Sequence, residues 1–176
     1  LNNNDNSDFP QSGTSRYYNT TFPGSGISVP ATNTSFNNIP NANEMSWYCM
    51  YGDPRWDGDK LWATMGHLYR GGMWFKKKSV LQAEGNYNTE KSADNITDLR
   101  ITRKLYSNAS SSITSGGLPS AADAGNYFYL PVTGYYLMGK LINIGTFGYY
   151  WTSSAIPAVG YRGNAYALYF NNGAVY

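Results

Sequence analysis

Two segments near the C-terminus decide the fold of this chain, residues 148–155 (GYYWTSSA) and residues 165–176 (AYALYFNNGAVY). Both are rich in aromatic residues, which favour β-strands, and a loop containing Pro and Gly separates them. The second segment alternates strictly, with Tyr166, Leu168 and Phe170 on one face, which is typical of a half-buried strand. Residues 171–173 (NNG) then predict a tight turn, because Asn and Gly tolerate positive φ.

Four short strands joined by Gly-rich turns are predicted in the C-terminal part of the chain: residues 127–132, 141–145, 149–152 and 165–170. We expect them to form an antiparallel meander, which places the loops at the two ends of the sheet. About half of the tyrosines and tryptophans in these strands, including Trp151, are expected to pack in the core.

The N-terminal half of the domain predicts a short helix over residues 42–50 with Asn41 as its cap, followed by a strand-rich region over residues 61–80. Gly66 and the pair at residues 71–72 are predicted turn or bulge sites. The lysine run at residues 76–78 is interpreted as a solvated strand edge. Residues 84–126 are polar and weakly periodic, and within them residues 96–101 fit either a short strand or one helical turn. The fold class is therefore α+β, with small antiparallel sheets, one or two short helices and long irregular loops.

The length of 176 residues fits one domain with a leader. Residues 1–40 are dominated by Asn, Ser, Thr, Gly and Pro, and such a segment buries too little apolar surface to order itself. We interpret it as a linker or a strap along the domain, in which residues 26–30 (GISVP) are a candidate edge strand ended by the proline. Residues 41–176 form the predicted domain.

The composition favours recognition by uncharged groups. Only 14% of residues are charged, whereas 16% are aromatic and 17 are tyrosines. Tyrosine offers a rigid amphipathic contact surface at small entropy cost, and Ser, Gly and Asn adapt around it. A net charge of +2 argues against nucleic acid as a partner. No apolar run approaches the roughly 20 residues of a membrane span, so no transmembrane segment is predicted.

Sequence motifs for catalysis or cofactor binding are scarce. His67 is the single histidine and Cys49, in an apolar stretch, the single cysteine, so we expect a structural or exposed histidine and a buried thiol. No nucleotide-binding or zinc motif is present. Asp53, Asp57 and Asp59 offer oxygens that suit Ca²⁺, but their Asp-Pro and Asp-Gly pairs favour an ordinary turn with side-chain hydrogen bonds. We predict a protein that is not an enzyme and that has no cofactor and no metal site.

Residues 151–154 (WTSS) and 165–175 resemble the "YWSS" and "AYYLYF-N-S-G-V" pattern of a bacterial C-type-lectin-like domain. This domain is known from the Fibrobacter succinogenes major paralogous family and from fimbrillin-type surface proteins. Residues 44–48, 52–57 and 71–78 resemble its first half. Family members carry one more strand after the Asn-Gly turn, so the resemblance leaves open a domain lacking its last strand or a closing strand supplied by another segment.

The resemblance implies a C-type-lectin-like fold on the bacterial cell surface, in a fimbria or an outer-membrane lipoprotein. It implies an adhesin tip that binds a glycan or a host or bacterial surface protein. The calcium-chelating motifs of sugar-binding C-type lectins do not occur in this sequence, so calcium-dependent sugar binding is not expected. Lectin-like domains of this branch are targets of diversity-generating retroelements, which implies a diversified face between residues 156 and 176.

The loop at residues 156–164 and the adjoining strand faces are the candidate binding region, because Tyr161 and Arg162 stand between glycines on a predicted exposed tip. The candidate ligand-binding residues are Tyr149, Tyr161, Arg162, Asn164, Tyr166, Tyr169, Asn171 and Asn172. A rival hypothesis is a structural pilus or matrix subunit whose last strand comes from a neighbouring subunit. An enzyme of the related formylglycine-generating fold is disfavoured, because that chemistry uses paired cysteines or metal ligands.

Overall fold

A computed structural model of the chain describes residues 38–137, 140–157 and 164–176. In this part of the chain, short helices alternate with small antiparallel sheets, which confirms the α+β class. The helices are α1 (Ala42–Tyr51), α2 (Lys78–Ala83) and α3 (Ser112–Ser115), with a 3-10 turn at Ala124–Asn126. The strands are β1 (Arg55–Thr64), β2 (His67–Lys76), β3 (Tyr127–Pro131), β4 (Tyr135–Leu137), β5 (Lys140–Ile142), β6 (Gly148–Ala155) and β7 (Ala165–Phe170).

Helix α1 forms where the sequence predicts it. The Asn41 side chain accepts a hydrogen bond from the Glu44 backbone N–H at 3.0 Å, and the Glu44 carboxylate accepts from the Asn41 N–H at 2.7 Å. This reciprocal capping box satisfies two backbone donors that the first turn leaves unpaired. Trp47 then points inward, is only 1% exposed and donates its Nε1–H to the Lys91 carbonyl at 2.9 Å. In the described parts of the chain, no helix is long and apolar enough to cross a membrane.

Strands β1, β2 and β3 form one three-stranded antiparallel sheet in that order. The β1–β2 turn is at Met65 and Gly66, both with positive φ, as predicted for Gly66. Gly71 and Gly72 lie inside β2, where the register with β1 shifts between the pairs Asp57–Gly72 and Leu61–Arg70 and Gly71 has positive φ, so the bulge alternative of their prediction is confirmed and the turn alternative is wrong. A Cβ on Gly72 would come within 2.4 Å of the Leu130 carbonyl oxygen, so glycine at this position allows the close approach of β3.

The lysine run at residues 76–78 is not a continuous strand edge. Lys76 is the last residue of β2, and α2 begins at Lys78. The chain turns into a helix here because Leu81, which is fully buried, anchors α2 to the core. The Lys76 ammonium lies 2.6 Å from the Glu84 carboxylate at the far end of the same helix. The Lys76–Glu84 ion pair therefore links the end of β2 to the end of α2.

The predicted C-terminal meander was also wrong. Strand β3 pairs with β2, β4 pairs with β5, and β6 pairs with β7, so the strands belong to three separate sheets. Strand β4 was absent from the prediction. Local alternation identifies strands but does not determine their partners, because pairing depends on contacts between residues distant in the sequence.

The predicted turn after β7 is present. The Asn171 Oδ1 accepts hydrogen bonds from the backbone N–H groups of Gly173 at 2.8 Å and Ala174 at 3.0 Å. The chain then returns along β7, where Tyr169 and Tyr176 exchange two backbone hydrogen bonds of 3.0 and 2.7 Å. Because Tyr176 bonds to the side of β7 that faces away from β6, the last residues cover one end of that edge.

The main core lies between α1, the first sheet and the β6–β7 pair. Phe75 of β2 packs against Phe170 of β7 with ring centroids 5.6 Å apart, and against Phe128 of β3 at 5.9 Å. The buried members of this cluster are Tyr48, Cys49, Met73, Phe75, Leu81, Ile113, Val132, Leu168, Phe170 and Val175. Burial of each Val, Leu, Ile, Phe or Met side chain in this cluster stabilises the folded state by about 1.5–3 kcal/mol. The core thus buries one face of β7, whereas the residues on its opposite face, such as Tyr169, are only half-buried.

The polar region after α2 is held mainly by carboxylates. Asp98 accepts hydrogen bonds from the Arg100 guanidinium at 2.9 and 2.8 Å and from the Asn43 Nδ2 of α1 at 3.0 Å. Residues 96–101, for which strand and helical turn were both open, form turns, with the Ile101 N–H bonded to the Asp98 carbonyl at 3.0 Å.

Candidate functional site

Strands β6 and β7 present two different faces. The alternation predicted for β7 is confirmed, because Tyr166, Leu168 and Phe170 are buried whereas Tyr169 is half-buried. On β6 the outward positions include Tyr149 and Trp151. The expectation that Trp151 lies in the core was wrong, because its side chain is 60% exposed. Strand alternation places it beside Tyr149, on the face opposite to the core.

Six aromatic rings contact one another on this outward side of the domain, and we call them the aromatic face. Tyr149 lies at its centre, with ring centroids 5.2 Å from Trp151, 5.3 Å from Tyr135 and 5.4 Å from Tyr169. Tyr169 in turn contacts Phe147 and Tyr176, each at 5.3 Å. Such tilted and offset ring pairs are favourable arrangements that orient each ring. The result is a set of aromatic surfaces held in place by one another.

A cleft with a volume of about 690 Å³ opens beside Trp151, and we call it the hairpin cleft. Its walls come from the β1–β2 turn, with Thr64 and Met65, and from the β4–β5 hairpin, with Tyr136 and Leu141. None of the described residues that line it carries a formal charge. The cleft combines aromatic surface with hydroxyl groups, which is the usual composition of a site for a small uncharged ligand.

A second depression, with a volume of about 620 Å³, runs along the edge of β7 that faces away from β6, and we call it the β7-edge groove. The five consecutive residues 165–169 line it. Tyr166 contributes a buried hydroxyl without a hydrogen-bond partner among the described residues. Burial raises the pKa of this phenol, and the main chain at Lys104 offsets the rise in part.

Tyr149 and Tyr169 are the predicted site residues that the structure brings together, as cross-strand partners on the aromatic face. Tyr166 projects to the other face of β7, where it is only 8% exposed. It therefore packs with the core, and it lines the β7-edge groove together with Tyr149 and Tyr169 of the aromatic face.

The remaining predicted site residues lie in loops. Asn164 is exposed, and its carbonyl accepts a hydrogen bond from the Ile156 N–H at 2.9 Å, which closes the loop between β6 and β7. The Asn171 side chain is committed to the terminal turn, whereas Asn172 is exposed at the tip of that turn. Tyr161 and Arg162 lie outside the described residues.

Sequence reasoning missed several members of the aromatic face and of the hairpin cleft. Trp151 is two residues from Tyr149, so period-two alternation would have placed both on one face. Tyr135 and Tyr136 belong to the unpredicted strand β4, and Met65 comes from a turn about 70 residues away, so no local pattern signals their approach.

The aspartates that suited Ca²⁺ in sequence have internal partners. Asp57 is buried, and its carboxylate accepts hydrogen bonds from the Lys60 N–H at 2.9 Å and from the Trp74 Nε1–H at 3.0 Å. Asp53 pairs with Arg55 at 3.0 Å. Burial raises the pKa of Asp53, but hydrogen bonds from Arg55 and Tyr127 outweigh it and leave that pKa lowered. In the described ranges, no group of three His, Cys, Asp or Glu side chains is placed to hold a metal ion.

The single histidine and the single cysteine of the sequence lie in different surroundings. His67 is exposed at the start of β2, where its ring lies 6.3 Å from Tyr69. Cys49 is 2% exposed in α1, and burial raises the pKa of its thiol to about 12. A thiol with this pKa stays protonated near neutral pH and is a poor nucleophile.

Comparison of the chain with protein-family models, with curated proteins and with solved structures gave no match. A functional assignment therefore depends on the geometry of the described surfaces. The aromatic face with its hairpin cleft is the strongest candidate site, because it joins exposed aromatic area to an uncharged concavity.

Proposed function

We propose that this chain is a non-catalytic recognition domain of the C-type-lectin-like kind, which binds an uncharged glycan or a protein through the aromatic face. The observation that carries the proposal is the 60% exposure of Trp151 beside Tyr149, at the mouth of the hairpin cleft. Trp151 and Tyr176 are exposed whereas the other four rings of the aromatic face are half-buried, and exposed apolar surface beside a concavity is typical of an interaction surface. Tryptophan and tyrosine are also the residues that most often dominate binding energy.

The chemistry of the cleft favours a neutral ligand. Its lining offers the Thr64 and Thr133 side chains and the Tyr136 phenol as uncharged polar groups, while Trp151 and Tyr149 offer flat apolar surface. The apolar face of a sugar ring packs against such rings, and hydroxyls exchange hydrogen bonds with its rim. Because no ion pair is involved, binding should depend only weakly on salt concentration.

The proposed location is the outer surface of a bacterial cell, as part of a fimbrial tip or an outer-membrane lipoprotein. This part of the proposal rests on the resemblance of residues 151–154 and 165–175 to bacterial lectin-like surface domains. The proposal of a diversified C-terminal face is compatible with exposed Asn164 and Asn172, where most side chains fit. Buried Tyr166 is poorly suited to variation, because replacements there would change the packing of the core.

A binding screen tests this proposal. Arrays of neutral, sialylated and sulfated glycans and of host surface proteins would be probed with the wild-type protein, with Trp151→Ala and with Tyr51→Ala. Tyr51 is a matched control, because it is an exposed aromatic residue on α1, at 43% exposure, away from the aromatic face. We expect Trp151→Ala to lose the signal and Tyr51→Ala to keep it. Equal signals from all three proteins would remove the aromatic face from the binding site.

The predicted tip residues need their own variant in the same screen, Tyr161→Ala/Arg162→Ala. Loss of signal by this variant alone would place binding on the loop between β6 and β7 rather than on the aromatic face. Loss by both variants would extend the site from Trp151 across that loop.

A structural pilus or matrix subunit is the second candidate function. The edge of β7 that faces away from β6 favours it, because Ala165 and Ala167 have no backbone partner on that edge within the described residues and such an edge can accept a strand from a neighbouring subunit. Assembly that grows with protein concentration, together with silence in every glycan and protein array, would favour this function over recognition.

A further inference from the structure

The edge of β7 that faces away from β6 is only partly covered. At one end of this edge, the Tyr169 N–H donates a hydrogen bond to the Tyr176 carbonyl, and the Tyr169 carbonyl accepts one from the Tyr176 N–H. Backbone groups of a strand point to alternate sides, so those of Ala167 and Ala165 point to the same side as those of Tyr169. Within the described residues, no backbone partner lies on this side of Ala165 or Ala167.

The shape of the β7-edge groove fits an added strand. Side chains of consecutive strand residues point to opposite faces, so five consecutive residues can line one cavity only along the strand edge. Residues 165–169 span about 13 Å at the usual rise of a strand. Apolar side chains from α1 and from the segment at residues 104–107, such as Met45 and Leu105, form the opposite walls. The groove therefore offers, between apolar walls, backbone groups of Ala165 and Ala167 that have no partner within the described residues.

We propose that residues 26–30 of this chain (GISVP) occupy the β7-edge groove as an additional strand. Ile27 and Val29 are β-branched and alternate with Ser28, so one face of such a strand is apolar and suits the groove wall. Pro30 lacks an N–H group and ends the pairing.

Charge also favours this occupant. No charged residue occurs between Arg16 and Glu44 of the sequence. Among the described residues that line the groove, Lys104 carries the single formal charge, and its ammonium lies 2.7 Å from the Asp94 carboxylate. A neutral segment thus enters a groove whose one cation already has a partner, and no charge is left unpaired by docking.

The described part of the chain begins beside the groove. The Pro40 carbonyl accepts a hydrogen bond from the Ser153 N–H of β6 at 3.0 Å, and Ala42, whose N–H donates to the Ser154 Oγ at 3.1 Å, lines the groove itself. Seven residues, 31–37, link position 30 to the described chain and span up to about 25 Å when extended. This exceeds the length of the groove, and the shortest path makes the added strand antiparallel to β7.

Amide hydrogen exchange in the full chain tests the proposal, with Tyr169 as an internal reference because its N–H is already bonded on the same edge. We expect the Ala167 amide of the wild-type protein to be protected to a similar degree as that of Tyr169. In Ile27→Asp/Val29→Asp, the protection of Ala167 should fall at least about tenfold while that of Tyr169 persists. The matched control, Phe9→Asp/Phe22→Asp, places the same charges elsewhere in the leader and should leave both amides protected.

Two outcomes would overturn the proposal. One is an Ala167 amide that exchanges at the rate of an unprotected peptide in the wild-type protein. The other is equal protection of Ala167 in the wild-type protein and in Ile27→Asp/Val29→Asp. Protection that appears only as protein concentration rises would assign the strand to a second copy and would contradict docking within one chain. All substituted residues lie in the leader segment of the sequence, and the binding role of Trp151 is tested with separate variants.

Discussion

Tyr149 of β6 and Tyr169 of β7 face each other directly across the strand pair, with ring centroids 5.4 Å apart and with both rings half-buried. Each ring has a further aromatic neighbour, Trp151 for Tyr149 and Tyr176 for Tyr169. This pair therefore joins the two strands and holds the surrounding rings in one surface. The same contact contributes to stability and to the shape of the proposed binding face.

The Tyr149–Tyr169 contact should appear as a coupling energy. In a double-mutant cycle of Tyr149→Ala and Tyr169→Ala, measured by urea unfolding, we expect a coupling of about 0.5–1.5 kcal/mol. The control cycle pairs Tyr149→Ala with Tyr51→Ala, which lies on α1 and outside the aromatic face, and should be additive. Additive effects in both cycles would show that the two rings do not stabilise each other.

Tyr166 should tolerate loss of its hydroxyl but not loss of its ring. The hydroxyl is buried without a partner among the described residues, so Tyr166→Phe should leave the free energy of unfolding unchanged or raise it by about 1 kcal/mol. Tyr166→Ala removes a buried ring and should cost about 3–5 kcal/mol. Chemical denaturation of the three proteins checks both values. A loss above about 1 kcal/mol in Tyr166→Phe would mean that the hydroxyl is bonded in solution.

Stability should fall on acidification. Hydrogen bonds, first from the Arg100 guanidinium and then from Asn43, lower the pKa of Asp98 from 3.8 to about 2. Because the folded pKa lies below the unfolded value, this stabilisation is fully present above pH 3.8 and is lost as the pH falls through about 2. Urea unfolding between pH 7 and pH 2 should show a smaller acid-induced loss for Asp98→Asn than for the wild-type protein. Identical pH profiles would contradict this role of Asp98.

The thiol of Cys49 should be inert in the folded protein. It is buried, donates to the Val175 carbonyl at 3.5 Å and has a pKa of about 12. A thiol reagent at mildly alkaline pH should therefore label it only after denaturant is added. Rapid labelling of the native protein would show that α1 separates easily from the C-terminal residues.

Local features were predictable from the sequence where one segment contains the whole signal. Asn41 and Glu44 identify the start of α1, and the alternation from Tyr166 to Phe170 identifies both the strand and its buried face. The turn at Asn171 follows from residues that form their own side-chain hydrogen bonds. In each case, the residues that carry the sequence signal lie no more than four positions apart.

Features that depend on distant contacts were not predictable. Strand β3 pairs with β2, more than 50 residues earlier, which removed it from the expected meander. The residue opposite Trp151 on β7 is Ala167, so the larger ring has no bulky cross-strand partner and stays exposed. Composition indicated recognition by uncharged aromatic groups, but the hairpin cleft depends on turns and hairpins that meet only in the folded domain.

The most direct test of the central claim compares dissociation constants of the wild-type protein and Trp151→Ala for a ligand from the screen, each at low and at high salt. We predict that Trp151→Ala weakens binding at least about tenfold, since an exposed aromatic anchor contributes about 1.4 kcal/mol or more. Salt should change the wild-type affinity by less than about twofold, because the cleft is uncharged. Equal affinities of the two proteins would contradict the claim that this aromatic face binds the ligand.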